Sequence, residues 1–208
     1  DTTCDNGIAD PKAQPGGVLI TCLKTDIFRP RGHVLLEDKL KEFCLGLEVM
    51  QRALGGYESI YMVVSEYDTE LGEAMRESCR GYAWLQIRSV KTTYPFDHPA
   101  VILQGLGLRP NFEKPFWCLT AESVLAAHRV LVTERPVLSR VITVAGPGVK
   151  EPRHVKVYPG TPIKEILEGR LDPDCKNPRA IVNGMMSGWE ANIEEDSLGL
   201  LDDSITVA

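Results

Sequence analysis

Apolar residues along this chain fall into two kinds of pattern. The first is a set of short runs of strand length: Val18 to Leu23, the continuous apolar run Ser59 to Val64, Trp84 to Val90 and Phe116 to Leu119. A continuous run, as opposed to an alternating one, suits a strand covered on both faces in a parallel sheet. The second pattern lies between these runs. Leu36, Leu40, Phe43, Leu47 and Met50 recur at helical spacing with Glu37, Asp38, Lys41 and Glu48 off the stripe, and Gly55-Gly56 closes the segment. Leu71, Met75 and Cys79 give the inner face of a second helix that Thr69 can cap and Gly81 ends; Val124, Leu125, His128 and Leu131 share one face of a third, capped by Thr120. Strands alternating with helices imply right-handed crossovers, and predict a Rossmann-like layered α/β domain over residues 18–138.

The pattern changes after Arg135-Pro136. The stretch RVITVAGPGVKEPRHVKVYPG holds two β-prone runs around a Pro-Gly turn, which is a hairpin signature. Thr161-Pro162 opens a short helix with Ile163, Ile166 and Leu167 on its apolar face, and Gly169 ends it. Ala180 to Val182 and Ser204 to Val207 follow as returning strands. A hairpin, a short helix and returning strands describe a small α+β domain of β-grasp type over 139–208. Residues 1–17, rich in Gly, Pro and polar side chains, read as a linker with no face to bury.

Composition narrows the function classes. A formal charge of -6 at 208 residues supplies no clustered Lys and Arg for phosphate neutralisation, so nucleic acid is not an expected partner. No run approaches the ~18 apolar residues that span a bilayer, so any membrane association is expected through partners. The chain begins at Asp1 without the basic-then-apolar start of a signal peptide, which reads as a piece of a longer protein. The six cysteines lie too far apart for a short-spaced zinc or iron-sulfur motif. Cys22, Cys44, Cys79 and Cys118 sit among apolar neighbours and read as small hydrophobes in a reduced protein.

Few residues present themselves as chemistry. A dinucleotide site needs a glycine-rich turn after the first strand, and the nearest match, Gln104-Gly105-Leu106-Gly107-Leu108, lacks both the preceding buried strand and the third glycine. It reads better as a loop of permissive backbone. Tyr94, Asp97 and His98 lie just past the Trp84 strand, at the edge where open α/β sheets bind ligands, and form the candidate ligand site. The plainer reading is that Pro95 and Pro99 shape a turn, Asp97 or His98 caps the next helix, and Tyr94 packs over it. Lys150, Arg153 and Lys156, with His154, are the candidate partner contacts; a charged, self-protecting strand edge is the plainer alternative. His128 reads as a core residue, and Met185-Met186 with Trp189 as core filler in preference to a contact surface. No catalytic group and no metal site can be assembled from spacing.

The segment SRVITVAGPGVKEPRHVKVYPGTPIKEIL resembles the ligand-binding β-grasp (SLBB-type) module shared by the A subunit of the sodium-translocating NADH:quinone oxidoreductase, the C subunit of the Rnf electron-transfer complex and the NADH-binding subunit of respiratory complex I. The residues that carry this are Val141-Ile142-Thr143-Val144, Gly146 through Val149, Pro152 and Gly160-Thr161-Pro162. Asp97-His98-Pro99-Ala100 upstream of Phe116-Trp117, then Ser187-Gly188, Ala191, Leu198-Gly199 and Ser204 to Val207, are similar to the sodium-pump protein, as are Thr25-Asp26 and the helix after them. Gly184-Met185-Met186 departs from it toward the Rnf protein.

The resemblance implies a peripheral fragment on the cytoplasmic face of the bacterial inner membrane, partnered by other subunits of a membrane redox complex. It implies no bound FMN or NADH, no catalysis by this stretch, and a quinone association that can be given to no residue. Two alternatives stand beside it: an Rnf- or complex-I-type subunit whose flavin and iron-sulfur motifs lie outside this stretch, or a stand-alone module that binds a soluble ligand or partner.

Overall fold

The structure, a computed structural model, describes residues 15–56, 59–109 and 115–208. The linker reading of 1–17 therefore lies almost wholly outside the described residues. The chain divides into two compact units: one runs up to Pro136 except for Asp26–Pro30, and the other comprises Val137–Ala208 together with Asp26–Pro30.

In the first unit the elements run β1 (Gly17–Thr21), α1 (Gly32–Leu36), α2 (Leu40–Ala53), β2 (Ile60–Ser65), α3 (Thr69–Ser78), β3 (Leu85–Val90), α4 (Pro99–Gly105), β4 (Phe116–Thr120) and α5 (Ala121–Ala127), which continues as a π-helix over His128–Val132. The four strands form a wholly parallel sheet in the order β3-β2-β1-β4. Alternation along β1 sorts its side chains into two cores. Val18 and Ile20 join Leu36, Phe43, Leu47, Met75 and Val124 from α1, α2, α3 and α5, whereas Leu19 joins Val63, Phe116 and the α4 residues Ile102 and Leu103. The central strands β1 and β2 are therefore covered on both faces and read as apolar runs, whereas the edge strand β3 is only partly covered and carries Gln86, Arg88 and Ser89.

Three local expectations are corrected. The stripe from Leu36 to Met50 is two helices broken at 37–39, where the Lys39 amide turns back to the Leu36 carbonyl at 2.9 Å. The N-cap of α3 is Asp68, with no capping bond from its side chain, and Thr69 is already helical; the Asp68 carboxylate is taken instead by His33 Nδ1 at 3.2 Å. Leu131 leaves the inner face and is exposed. The cause is the π-turn: Thr133 N donates to the His128 carbonyl five residues back, and the widened turn carries the residues after the buried His128 out of phase with the stripe.

The second unit runs β5 (Arg140–Ala145), β6 (Arg153–Val157), α6 (Ile163–Leu167), β7 (Ala180–Val182), β8 (Trp189–Ala191) and β9 (Ser204–Val207). Its sheet is mixed, in the order β6-β5-β9-β7-β8; β5 and β9 are parallel and the other pairs antiparallel. Ile142, Val144, Ile205 and Val207 from the central strands pack with Ile163, Ile166 and Leu167 of α6. The short β8 has no signal in the sequence. Met185, Met186 and Trp189 around it are exposed, which corrects their reading as core filler.

Candidate functional site

The carboxyl edge of the parallel sheet is the natural ligand position in an open α/β fold, and the structure brings the Tyr94, Asp97 and His98 segment close to it. The residues there are tied to one another. Asp97 accepts from the Thr25 amide at 3.1 Å and from Thr25 Oγ1 at 2.5 Å, joining the turn before α4 to the loop after β1. His98 is the N-cap of α4, its Nδ1 accepting from the Ala100 amide at 3.3 Å, with Pro99 in the first turn where no amide is needed. Tyr94 is exposed and precedes a cis-proline. Ser65 and Thr92 share a hydroxyl contact of 2.6 Å, and Thr120 caps α5 through Ser123 at 3.3 Å. The polar groups at this edge thus satisfy neighbouring backbone and side chains.

The connection from β1 to α1 decides what the edge can hold. Cys22 follows β1, is buried, and has its thiol pushed up to about 12 by burial and by the Asp68 carboxylate, so it does not supply a nucleophile. Helix α1 is one short segment whose N-cap, Arg31, makes no side-chain capping bond. A side chain on Gly32 would meet the Cys22 carbonyl at 2.9 Å, so the start of the helix is packed against the strand it follows. The Gln104 to Leu108 stretch is the end of α4 followed by a turn with Gly107 at φ +71.

In the second unit, Arg153 and Lys156 belong to the edge strand β6, opposite Val144 and Val141 of β5. Strand alternation sends them to opposite faces of the sheet. Lys150 precedes the strand, its amide bonded to the Arg170 carbonyl. Arg153 pairs with Glu151, and His154 Nδ1 meets Thr143 Oγ1 at 3.0 Å. The three basic residues are therefore strung along an edge and do not share one face. A shallow open groove on this unit is floored by Leu167, Leu171 and Ile193 and rimmed by the Lys164–Glu194 ion pair at 2.5 Å.

Sequence reasoning missed the polar cluster that anchors Asp26–Pro30 within this unit. The Asp26 carboxylate accepts from the amides of Ile27 at 2.7 Å, Met186 at 3.0 Å and Ser187 at 2.9 Å, and from Ser187 Oγ at 2.8 Å. Burial works to raise its pKa, but these bonds outweigh it and hold the carboxyl below the usual range. The partners lie some 160 positions apart, so spacing carries no trace of them. Among the described residues no three His, Cys, Asp or Glu side chains gather as a metal site, and no helix is long and apolar enough to cross a membrane.

Comparison with known proteins finds similarity to subunits of ion-translocating oxidoreductases. No family model matches the chain. Over most of its length the chain is similar to the A subunit of the Na(+)-translocating NADH-quinone reductase, at 25% identity to the protein of Rhodopirellula baltica over 94% of this chain and 41% of that one. The corresponding Glaesserella parasuis protein is 26% identical over 90% of this chain and 40% of its own length. The C subunit of the ion-translocating oxidoreductase complex of Rhodobacter capsulatus is 28% identical over 74% of this chain and 31% of that one. The chain thus spans about two fifths or less of these relatives. Among solved structures, the NAD+-reducing [NiFe]-hydrogenase in its air-oxidized state matches with a TM-score of 0.73 over 96% of this chain and 41% of that one, at 15% identity, a likeness of fold.

Proposed function

We propose that this chain is a stretch of the peripheral A subunit of a sodium-pumping NADH:ubiquinone oxidoreductase, held at the cytoplasmic face of the bacterial inner membrane by its partner subunits. In this reading the first unit is a Rossmann-like domain that holds neither FMN nor NADH, and the second is a β-grasp module. The two contribute protein contacts and quinone association, and electron transfer belongs to the other subunits.

The connection between β1 and α1 carries the cofactor-free part of the reading. A nucleotide's phosphates need helix N-terminal amides open to the crevice. Here α1 is five residues long, and the loop from Cys22 to Arg31 that leads into it contains no glycine to bring backbone amides against a pyrophosphate. The similarity to the two sodium-pump relatives over 94% and 90% of the chain supports the assignment to the complex. Co-expression with the remaining subunits of such a complex tests it: the chain is expected to co-elute with them on size exclusion, and reversing charge at Lys150, Arg153 and Lys156 to weaken that association. A chain that elutes alone contradicts the proposal.

The higher identity to the Rhodobacter capsulatus protein, 28% against 25%, favours a second reading as an Rnf-type subunit. Flanking sequence separates the two. Closely spaced cysteines downstream and a glycine-rich flavin loop upstream favour the Rnf type, and a lipoyl-like domain upstream favours the sodium pump.

A further inference from the structure

We propose that Cys44 and Cys79 form a thiol–disulfide redox pair that pins α2 to the end of α3. Their sulfurs lie 3.6 Å apart, although the residues are 35 positions apart in sequence. That is a non-bonded contact, and a disulfide needs the sulfurs at about 2.05 Å. Rotation about the two side-chain bonds and a small shift of the α3 terminus bring them together. Helix α3 ends at Ser78 with Cys79 as its C-cap, and Arg80 and Gly81 beyond it are exposed. Both residues are buried, Cys44 at 8% and Cys79 at 5% relative exposure, so a small oxidant reaches them through local opening at the end of α3. The cysteines at 22, 44, 79, 118 and 175 are all reduced here.

The two sulfurs are not equivalent. Cys79 is the C-cap of α3, where the negative end of the helix dipole opposes a thiolate, whereas Cys44 lies inside α2, past its first turn, and meets no such opposition. The two thiols share one contact in which either sulfur can donate, and burial works to raise the pKa of both. Tyr82, whose hydroxyl donates to Glu48, stacks on Trp84 at 4.9 Å beside the pair. This asymmetry assigns Cys44 as the attacking sulfur and Cys79 as the resolving one.

The oxidant is a low-molecular-weight disulfide. The Cys44 thiolate attacks one of its sulfurs and releases a thiolate, leaving a mixed disulfide on Cys44. Cys79 then loses its proton, attacks the Cys44 sulfur and releases the second small thiol. The protein loses two electrons and two protons, and the small disulfide gains them. The step is independent of the function proposed above.

Oxidised glutathione applied to the 208-residue chain, followed by alkylation and peptide mass mapping, tests this. The expected result is a Cys44–Cys79 cross-linked peptide, reversed by dithiothreitol, with Cys22 still alkylated only after unfolding. The cross-link should raise the melting temperature by roughly 5–15 °C, because it closes a long loop of the unfolded chain. In C79S the mixed disulfide should persist on Cys44, and in C44S adduct formation at position 79 should be at least about tenfold slower. Cys44 and Cys79 recovered as separate alkylated thiols from the oxidised wild-type chain would overturn the proposal, and that readout requires no variant to fold.

Discussion

Arg29 clasps Asp203 through two nitrogens, Nε at 3.0 Å and Nη2 at 2.6 Å, and the carboxylate they hold is completely buried within the second unit. A buried carboxylate stays ionised only where donors replace its water, and the planar guanidinium supplies two at once. Removing one member leaves the other desolvated and poorly matched. Arg29→Ala is therefore expected to destabilise the second unit by about 3–5 kcal/mol, and Arg29→Lys by somewhat less, because an ammonium cannot make the paired contact. Urea unfolding followed by circular dichroism reads this. A change within ~0.5 kcal/mol for Arg29→Ala would place the pair among interactions of no consequence.

Asp26 makes stability depend on acid. Its folded pKa is lowered relative to the unfolded chain, so its contribution is fully present above the unfolded value and is lost as pH falls through the folded one. The second unit should weaken progressively below about pH 4, the range of an unperturbed aspartate. Asp26→Asn lowers stability at neutral pH and flattens this acid slope, since an amide offers one acceptor where four donors converge. Urea midpoints for both proteins from neutral to acid pH would show it; parallel slopes would rule Asp26 out as the source.

The Thr25–Asp97 tether predicts energetic coupling. Because Asp97 accepts from both the amide and the hydroxyl of Thr25, Thr25→Val removes one donor and Asp97→Ala removes the acceptor. A double-mutant cycle on unfolding should give a coupling of about 1–2 kcal/mol. Additive effects would mean that Asp97 is not held by Thr25 in solution and is available to a ligand.

Gly146 tests the hairpin. It sits at φ +118 after β5, and a Cβ there would lie 2.2 Å from the Val207 carbonyl, which as backbone in β9 cannot step aside. Gly146→Ala combines a disfavoured backbone angle with overpacking, and an expected loss of about 3 kcal/mol follows. Differential scanning calorimetry should show a lowered second-unit transition; an unchanged one would contradict the close approach of β5 and β9.

The central parallel strands and the hairpin are legible in the sequence because burial on both faces leaves apolar runs such as Val18 to Leu23, and because a Pro-Gly turn is local chemistry. Thr120 is legible as a cap for the same reason, since capping depends on a neighbour three residues away. The outward swing of Leu131 is not, because it follows from a π-turn with no residue signature, and β8 is only three residues long. The contacts of Asp26 with Ser187, of Arg29 with Asp203 and of Cys44 with Cys79 are equally hidden, since each joins ordinary residues that only the folded chain brings together. Arg153 and Lys156 look like neighbours in the sequence, and strand alternation separates them.

The proposed function stands or falls on whether the first unit binds a nucleotide cofactor, since the loop from Cys22 to Arg31 contains no glycine to bring backbone amides against a pyrophosphate. Incubating the purified chain with excess FMN, and separately with NADH, then desalting and recording visible absorbance and fluorescence, tests this most directly. The expected result is a colourless protein fraction with far less than one cofactor per chain. A fraction that retains one FMN or NADH per chain would contradict it.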